Sequence, residues 1–134
     1  MGLDTTKIVN LAVYPYLYDM PKALAATDIA VFRAGATSLA ELTARGVPAV
    51  LIPYPYAAEN HQEFNARELE KLGAAKVILN RELTGEKLIN VLEEMLVSEN
   101  RLQEMVEASR SMGKPSAALS IAEIVVGLAN KPKY

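Results

Sequence analysis

Apolar residues come first in short unbroken runs, then at helical spacing. Residues 7–14 are rich in β-branched and apolar side chains and run into Pro15, which predicts a strand entering a loop. A turn at residues 18–21 follows, with Asp19 as a helix cap and Pro21 near the first helical position. Residues 28–32 are apolar after Asp28 without alternation, the pattern of a parallel strand covered on both faces. A helix over 38–45 puts Leu39 and Leu42 on one side and stops at Gly46, with Pro48 two residues on. Residues 47–53 predict a third strand and 54–59 a loop. Glu59 or Asn60 then opens a helix ending at Gly73, and 74–79 predict a fourth strand.

From residue 84 onward the strand pattern is gone. Leu88, Val91, Leu92, Met95 and Leu96 recur at helical spacing, and Ser98 is placed to cap a second helix reaching about Met112. The break at Lys114, Pro115 and Ser116 precedes a third helix over 117–128. The whole reads as one α/β domain: a Rossmann-like parallel sheet of about four strands with flanking helices over about 7–82, then an all-helical tail over about 84–129.

Composition narrows the chemistry. A length of 134 residues suits one domain, and 51% hydrophobic content is ample for a core. With 14 basic against 16 acidic residues there is no positive field for nucleic acid or an anionic membrane, so any anionic ligand must be held locally. There is no cysteine, which removes disulfides and thiol chemistry. One histidine, His61, cannot make a multi-histidine metal site, so no metal or cofactor is expected. No apolar run nears the roughly 18 to 20 residues of a membrane span, and the first residues do not form a signal peptide, so a soluble cytoplasmic protein is expected.

In open α/β sheets ligands gather beyond the carboxyl ends of the strands, which directs attention to the loops after Phe32 and Ile52. The first reads Arg33, Ala34, Gly35, Ala36, Thr37, Ser38: small residues leading into a helix start with free backbone N–H groups, an anion site in principle. Gly35 permits positive φ or close ligand approach, and Thr37 and Ser38 can donate hydroxyls. Small and hydroxyl residues also make ordinary strand-to-helix turns. Glu41 tilts the balance, because four residues after Thr37 it shares that helix face about one turn below, where a carboxylate can accept both hydroxyls of a ribose. In the second loop His61 and Gln62 could bond sugar hydroxyls while Phe64 turns inward. Glu93 and Glu94 read as a solvated helix face, and Met95, Met105 and Met112 as core.

These stretches resemble the MurG-type N-acetylglucosaminyltransferases of bacterial cell-wall synthesis. The likeness rests on residues 16–20, on 26–28 with 33–41, on 46–49 with Ile52 and Pro53, on 61–66, and on 73–75, in order and at the right spacing. It implies part of a GT-B C-terminal domain that binds UDP-N-acetylglucosamine. The Leu17 backbone would meet the uracil, Glu41 the ribose, and Ala36, Thr37 and Ser38 the diphosphate. Gln62, with His61 beside it, would meet the sugar. The family transfers N-acetylglucosamine from UDP to the 4-hydroxyl of a muramyl-pentapeptide lipid with inversion, making lipid II, with no metal bound by the protein. It does so at the cytoplasmic face of the inner membrane.

The resemblance covers only the later part of the second of the family's two Rossmann-like domains. The acceptor domain and the base candidates are outside it, so no residue here is expected to be catalytic and the isolated chain is expected to be inactive. It also implies that central strands between 7–14 and 28–32 are lacking, so the chain should re-pair residues 7–14 beside 28–32 or dimerise through that edge. Alternatives are a small donor-binding subunit completed by a separate membrane-bound partner, or a purely structural α/β module.

Overall fold

The computed structural model describes residues 8–130. Its elements start and stop where local chemistry dictates. The Asp19 carboxylate accepts the Lys22 backbone N–H at 3.2 Å and opens α1 (Met20–Ala25), with Pro21 in the first turn, where no backbone donor is needed. β1 (Ala30–Phe32) leads through a tight loop into α2 (Ala36–Arg45), which Gly46 ends in the left-handed region at φ 71°. β2 (Ala49–Leu51), a 3₁₀ turn (Ala58–Asn60), α3 (His61–Lys71) and β3 (Ala75–Val77) follow. After a second 3₁₀ turn (Asn80–Glu82), Thr84 caps α4 (Gly85–Leu96) and Ser98 caps α5 (Glu99–Met112), each through its side-chain oxygen. α6 (Ala117–Ala129) follows.

The three strands are parallel in the order β1-β2-β3, with Val31 opposite Val50 and Val50 opposite Lys76. β2 is the centre: Ala49, Val50 and Leu51 are at most 1% exposed, as expected of a strand covered on both faces. On one face Ala49 and Leu51 pack with Leu39 and Leu42 of α2 and Ala66 and Leu69 of α3. On the other, Val50 and Ile78 pack with Met95 of α4 and Met105 of α5. Helix α5 joins both clusters, since Ala108 and Met112 lie against the first. It is anchored where β2 begins by the buried Ser109 hydroxyl, which donates to the Val47 carbonyl at 3.3 Å.

The close of α5 against α2 requires a glycine. A Cβ on Gly113 would stand 2.5 Å from the Thr43 carbonyl oxygen, and backbone cannot swing aside as a side chain can. Gly113→Ala is expected to destabilise by about 1–3 kcal/mol in urea unfolding. Gly127→Ala, in an open stretch of α6, should be neutral or stabilising by up to about 1 kcal/mol. Equal effects at the two sites would show that α5 is not seated as described.

Three expectations change. The sheet has three strands, not four: residues 8–14 are not in a strand, all of them are exposed, and Val9 is 98% exposed; Lys7 lies outside the described residues. β-branched composition favours a strand only when a neighbour supplies the ladder, and among the described residues β1 bonds to β2 alone, so residues 8–14 do not re-pair beside it. Val31, at 42% exposed, shows that this edge strand is covered on one face only. The apolar content is not all core either. The large apolar side chains of α6, from Leu119 to Leu128, are 57–64% exposed.

The absence of a membrane-length stretch also needs correction. Taken together, Glu99–Ala129 spans 31 residues and is long and apolar enough to cross a membrane by length and composition. Pro115 lies in a break between α5 and α6, however, and α6 alone has 13 residues, about 20 Å against a hydrocarbon core of about 30 Å.

Candidate functional site

The carboxyl ends of the three strands carry three loops, and the candidate residues other than Leu17 lie on two of them or on the helices they open. The β1–α2 loop ends at Gly35, which precedes α2 in an extended conformation with no side-chain cap. Its φ of −70° is open to any residue, so only the close-approach reading of this glycine survives. The first α2 backbone donor to find an acceptor is Leu39, bonded to the Gly35 carbonyl at 3.0 Å. The N–H groups of Ala36, Thr37 and Ser38 have no acceptor among the described residues. Three aligned donors at the positive end of a ten-residue helix favour negative charge in front of them.

Glu41 lies one turn further along α2, exposed and with no hydrogen-bond or ion-pair partner among the described residues. It lines a cavity of about 200 Å³ with Ala44 and Arg45 of α2 and with Pro21 and Leu24 of α1. Leu17 sits in the segment that enters α1, 40% exposed. The helix head, the carboxylate and the α1 entry therefore follow one another along one side of α2.

From the other side comes Gln62, in the first turn of α3. Its Oε1 accepts the Tyr54 backbone N–H at 3.0 Å, which determines the amide orientation and leaves both Nε2 protons to donate. Nε2 faces the helix head: it would be 3.9 Å from a Cβ placed on Gly35. The structure thus brings Gln62 beside the head of α2. His61 opens α3 and is exposed. Phe64 corrects an expectation: at 68% exposed it points outward, because the core face of α3 is taken by Ala66 and Leu69.

Arg33 is committed to the protein. Its Nη1 donates to Asn80 Oδ1 at 2.8 Å and to the Ile52 and Pro53 carbonyls at 3.3 Å each, and its guanidinium carbon lies 5.8 Å from the centre of the Tyr54 ring. Asn80 escaped the sequence reading, which searched the loops after two strands only. The rule that pointed to those loops applies equally to the loop after β3.

Charge pairs on the surface displace three pKa values. A hydrogen bond from Lys76, then its charge, holds Glu94 below the ordinary carboxylate range, and Lys87 does the same for Glu82. The hydrogen bond to Glu70 raises Arg67. The first two pairs tie neighbouring elements together, and the third lies within α3.

Residues 3–121 match the glycosyltransferase family 28 C-terminal domain. The chain belongs to that family. This family 28 domain is 50% identical over 124 residues to the UDP-N-acetylglucosamine--N-acetylmuramyl-(pentapeptide) pyrophosphoryl-undecaprenol N-acetylglucosamine transferase of Halothermothrix orenii, covering 92% of this chain and 33% of that protein. It is 49% identical over 129 residues to the Listeria welshimeri protein of the same name, covering 93% and 36%. Among solved structures it is similar to Acinetobacter baumannii MurG, with a TM-score of 0.77 and 34% identity over 87% of this chain and 33% of that one. The domain therefore spans about a third of the length of the relatives it matches.

Proposed function

We propose that this family 28 domain binds the UDP-N-acetylglucosamine donor of a lipid II-forming glycosyltransferase. The observation that carries the reading is the head of α2: three backbone donors without acceptors, flanked by the Gln62 amide on one side and the Glu41 carboxylate on the other. The diphosphate lies on Ala36, Thr37 and Ser38, the ribose hydroxyls on Glu41, the uracil toward Leu17, and the sugar toward Gln62 and His61. The names of the relatives supply the donor.

In this reading the helix head does chemical as well as binding work. Charge grows on the diphosphate as the sugar–oxygen bond breaks, and fixed N–H dipoles favour that charge without having to reorganise. The acceptor and the group that takes its proton belong to the remainder of the full-length relatives, so this domain alone binds donor and transfers nothing. Its place is the cytoplasm, on the inner face of the membrane that carries the acceptor lipid.

Calorimetric titration tests the diphosphate assignment directly. UDP should bind about tenfold or more tightly than uridine, because charge-assisted hydrogen bonds contribute about 1.5–3 kcal/mol each. Added salt should narrow the difference. If uridine binds as tightly as UDP, the helix head is not the diphosphate site.

A further inference from the structure

We propose that Asn80 is a positioning residue for the sugar end of the site, acting on Gln62 through Arg33. The inference rests on the donor-site reading above for its functional consequence, but its structural content stands alone. A chain of contacts centred on Arg33 carries it. Asn80 Oδ1 accepts from Arg33 Nη1 at 2.8 Å. The same nitrogen donates to the carbonyls of Ile52 and Pro53, the two residues that leave β2. The next residue, Tyr54, lies under the guanidinium and gives its N–H to Gln62 Oε1. The amide so oriented turns Nε2 toward Gly35 and the head of α2. Three loops, one from each strand, are thereby joined through one guanidinium.

The β2–α3 loop needs such a tie. Glu59 and Asn60 both have positive φ, 49° and 58°, which L-residues adopt at a cost, so the loop's local preferences do not hold it in place. Apolar packing does not hold it either. Between this loop and the exit of β3 lies a cavity of about 150 Å³, lined by Pro53, Tyr54 and Pro55 on one wall and Leu79, Asn80 and Arg81 on another. The two loops are linked through Arg33, which bonds Asn80 on one side and the Ile52 and Pro53 carbonyls on the other. Nη1 carries two hydrogens for three acceptors, so the two carbonyls share one of them, and Asn80, whose 2.8 Å bond is the shortest of the three, fixes the rotamer that lets this happen.

This assigns Arg33 a different task from a phosphate ligand. A direct ligand would act on every diphosphate alike; a clamp on the Gln62 loop acts on the sugar. The test compares the wild-type chain with Asn80→Ala and Asn80→Asp, the latter keeping the acceptor. Backbone amide exchange at Tyr54 and side-chain amide exchange at Gln62 are followed by NMR, and UDP and UDP-N-acetylglucosamine are titrated separately. Asn80→Ala should speed both exchanges about fivefold or more. It should weaken UDP-N-acetylglucosamine about three- to tenfold, as the loss of one hydrogen bond does, and change UDP by less than about twofold. Asn80→Asp should restore both readouts.

Unchanged exchange in Asn80→Ala overturns the clamp. Equal weakening of the two nucleotides overturns its role at the sugar and returns Arg33 to the diphosphate. If the wild-type chain binds neither nucleotide, the donor-site reading fails at that step. The exchange measurements then decide, on their own, whether Asn80 sets the orientation of Gln62.

Discussion

Leu42→Ala is expected to lower the unfolding free energy by about 2–5 kcal/mol, the range for removing a fully buried leucine. Leu42 is 0% exposed and sits with Leu39 in the cluster that holds α2 against the sheet. The void cannot collapse easily, because its cluster includes Ala49 and Leu51 of β2, a strand fixed by ladders on both sides. At roughly 3 °C or more per kcal/mol for a domain of this size, the melting point should fall by at least about 6 °C. Leu119→Ala is the matched control. That leucine is 62% exposed on α6, so the same chemical deletion should cost less than about 0.5 kcal/mol. Comparable losses at the two positions would mean that the packing of α2 on the sheet is not what holds this domain together. The site would suffer as well in Leu42→Ala, since the head of α2 keeps its aim only while the body of the helix is seated.

Glu41→Ala should separate binding from stability in the opposite way. The carboxylate is exposed and has no partner among the described residues, so its removal is expected to leave unfolding unchanged within about 0.5 kcal/mol. If it accepts the ribose hydroxyls, each hydrogen bond to a charged acceptor contributes about 1.5–3 kcal/mol, and UDP affinity should fall by tenfold or more. The 2′-deoxy nucleotide supplies the decisive comparison. Wild-type affinity should drop on losing the 2′-hydroxyl, and Glu41→Ala should then cost clearly less against the deoxy ligand than against UDP. Equal costs against both ligands would place the carboxylate away from the ribose. The cavity that Glu41 shares with Pro21 and Leu24 would then need another occupant.

Much of the candidate site was legible because it depends on residues close together in the chain. Gly35 through Glu41 occupy one loop and the first turns of one helix, and the spacing of a helix places Glu41 below Thr37 whatever surrounds it. Gln62 was legible as a residue type in a suitable loop. Its neighbours were not. The bond that orients it comes from Tyr54, eight residues earlier, and the clamp on Tyr54 comes from Arg33 and Asn80, 47 residues apart. No local pattern distinguishes such an asparagine from one at an ordinary turn. Phe64 was misplaced for a related reason: an aromatic side chain is drawn to the core only if its side of the helix faces the core, and on α3 that side belongs to Ala66 and Leu69.

What the sequence by itself determined here is where elements begin and end. Asp19, Ser98, Gly46 and Pro115 act through bonds, φ angles and missing donors within a few residues of themselves, and the structure places caps and breaks at each. Short apolar runs likewise marked β1, β2 and β3. Only the tertiary structure decided which apolar segments find a partner. Residues 8–14 have strand composition and no ladder, and α6 has core composition and no core, because a strand or an apolar helix is completed by surface contributed from elsewhere. The same dependence on distant surface makes Arg33 a link between three loops, since only the folded sheet sets their ends side by side.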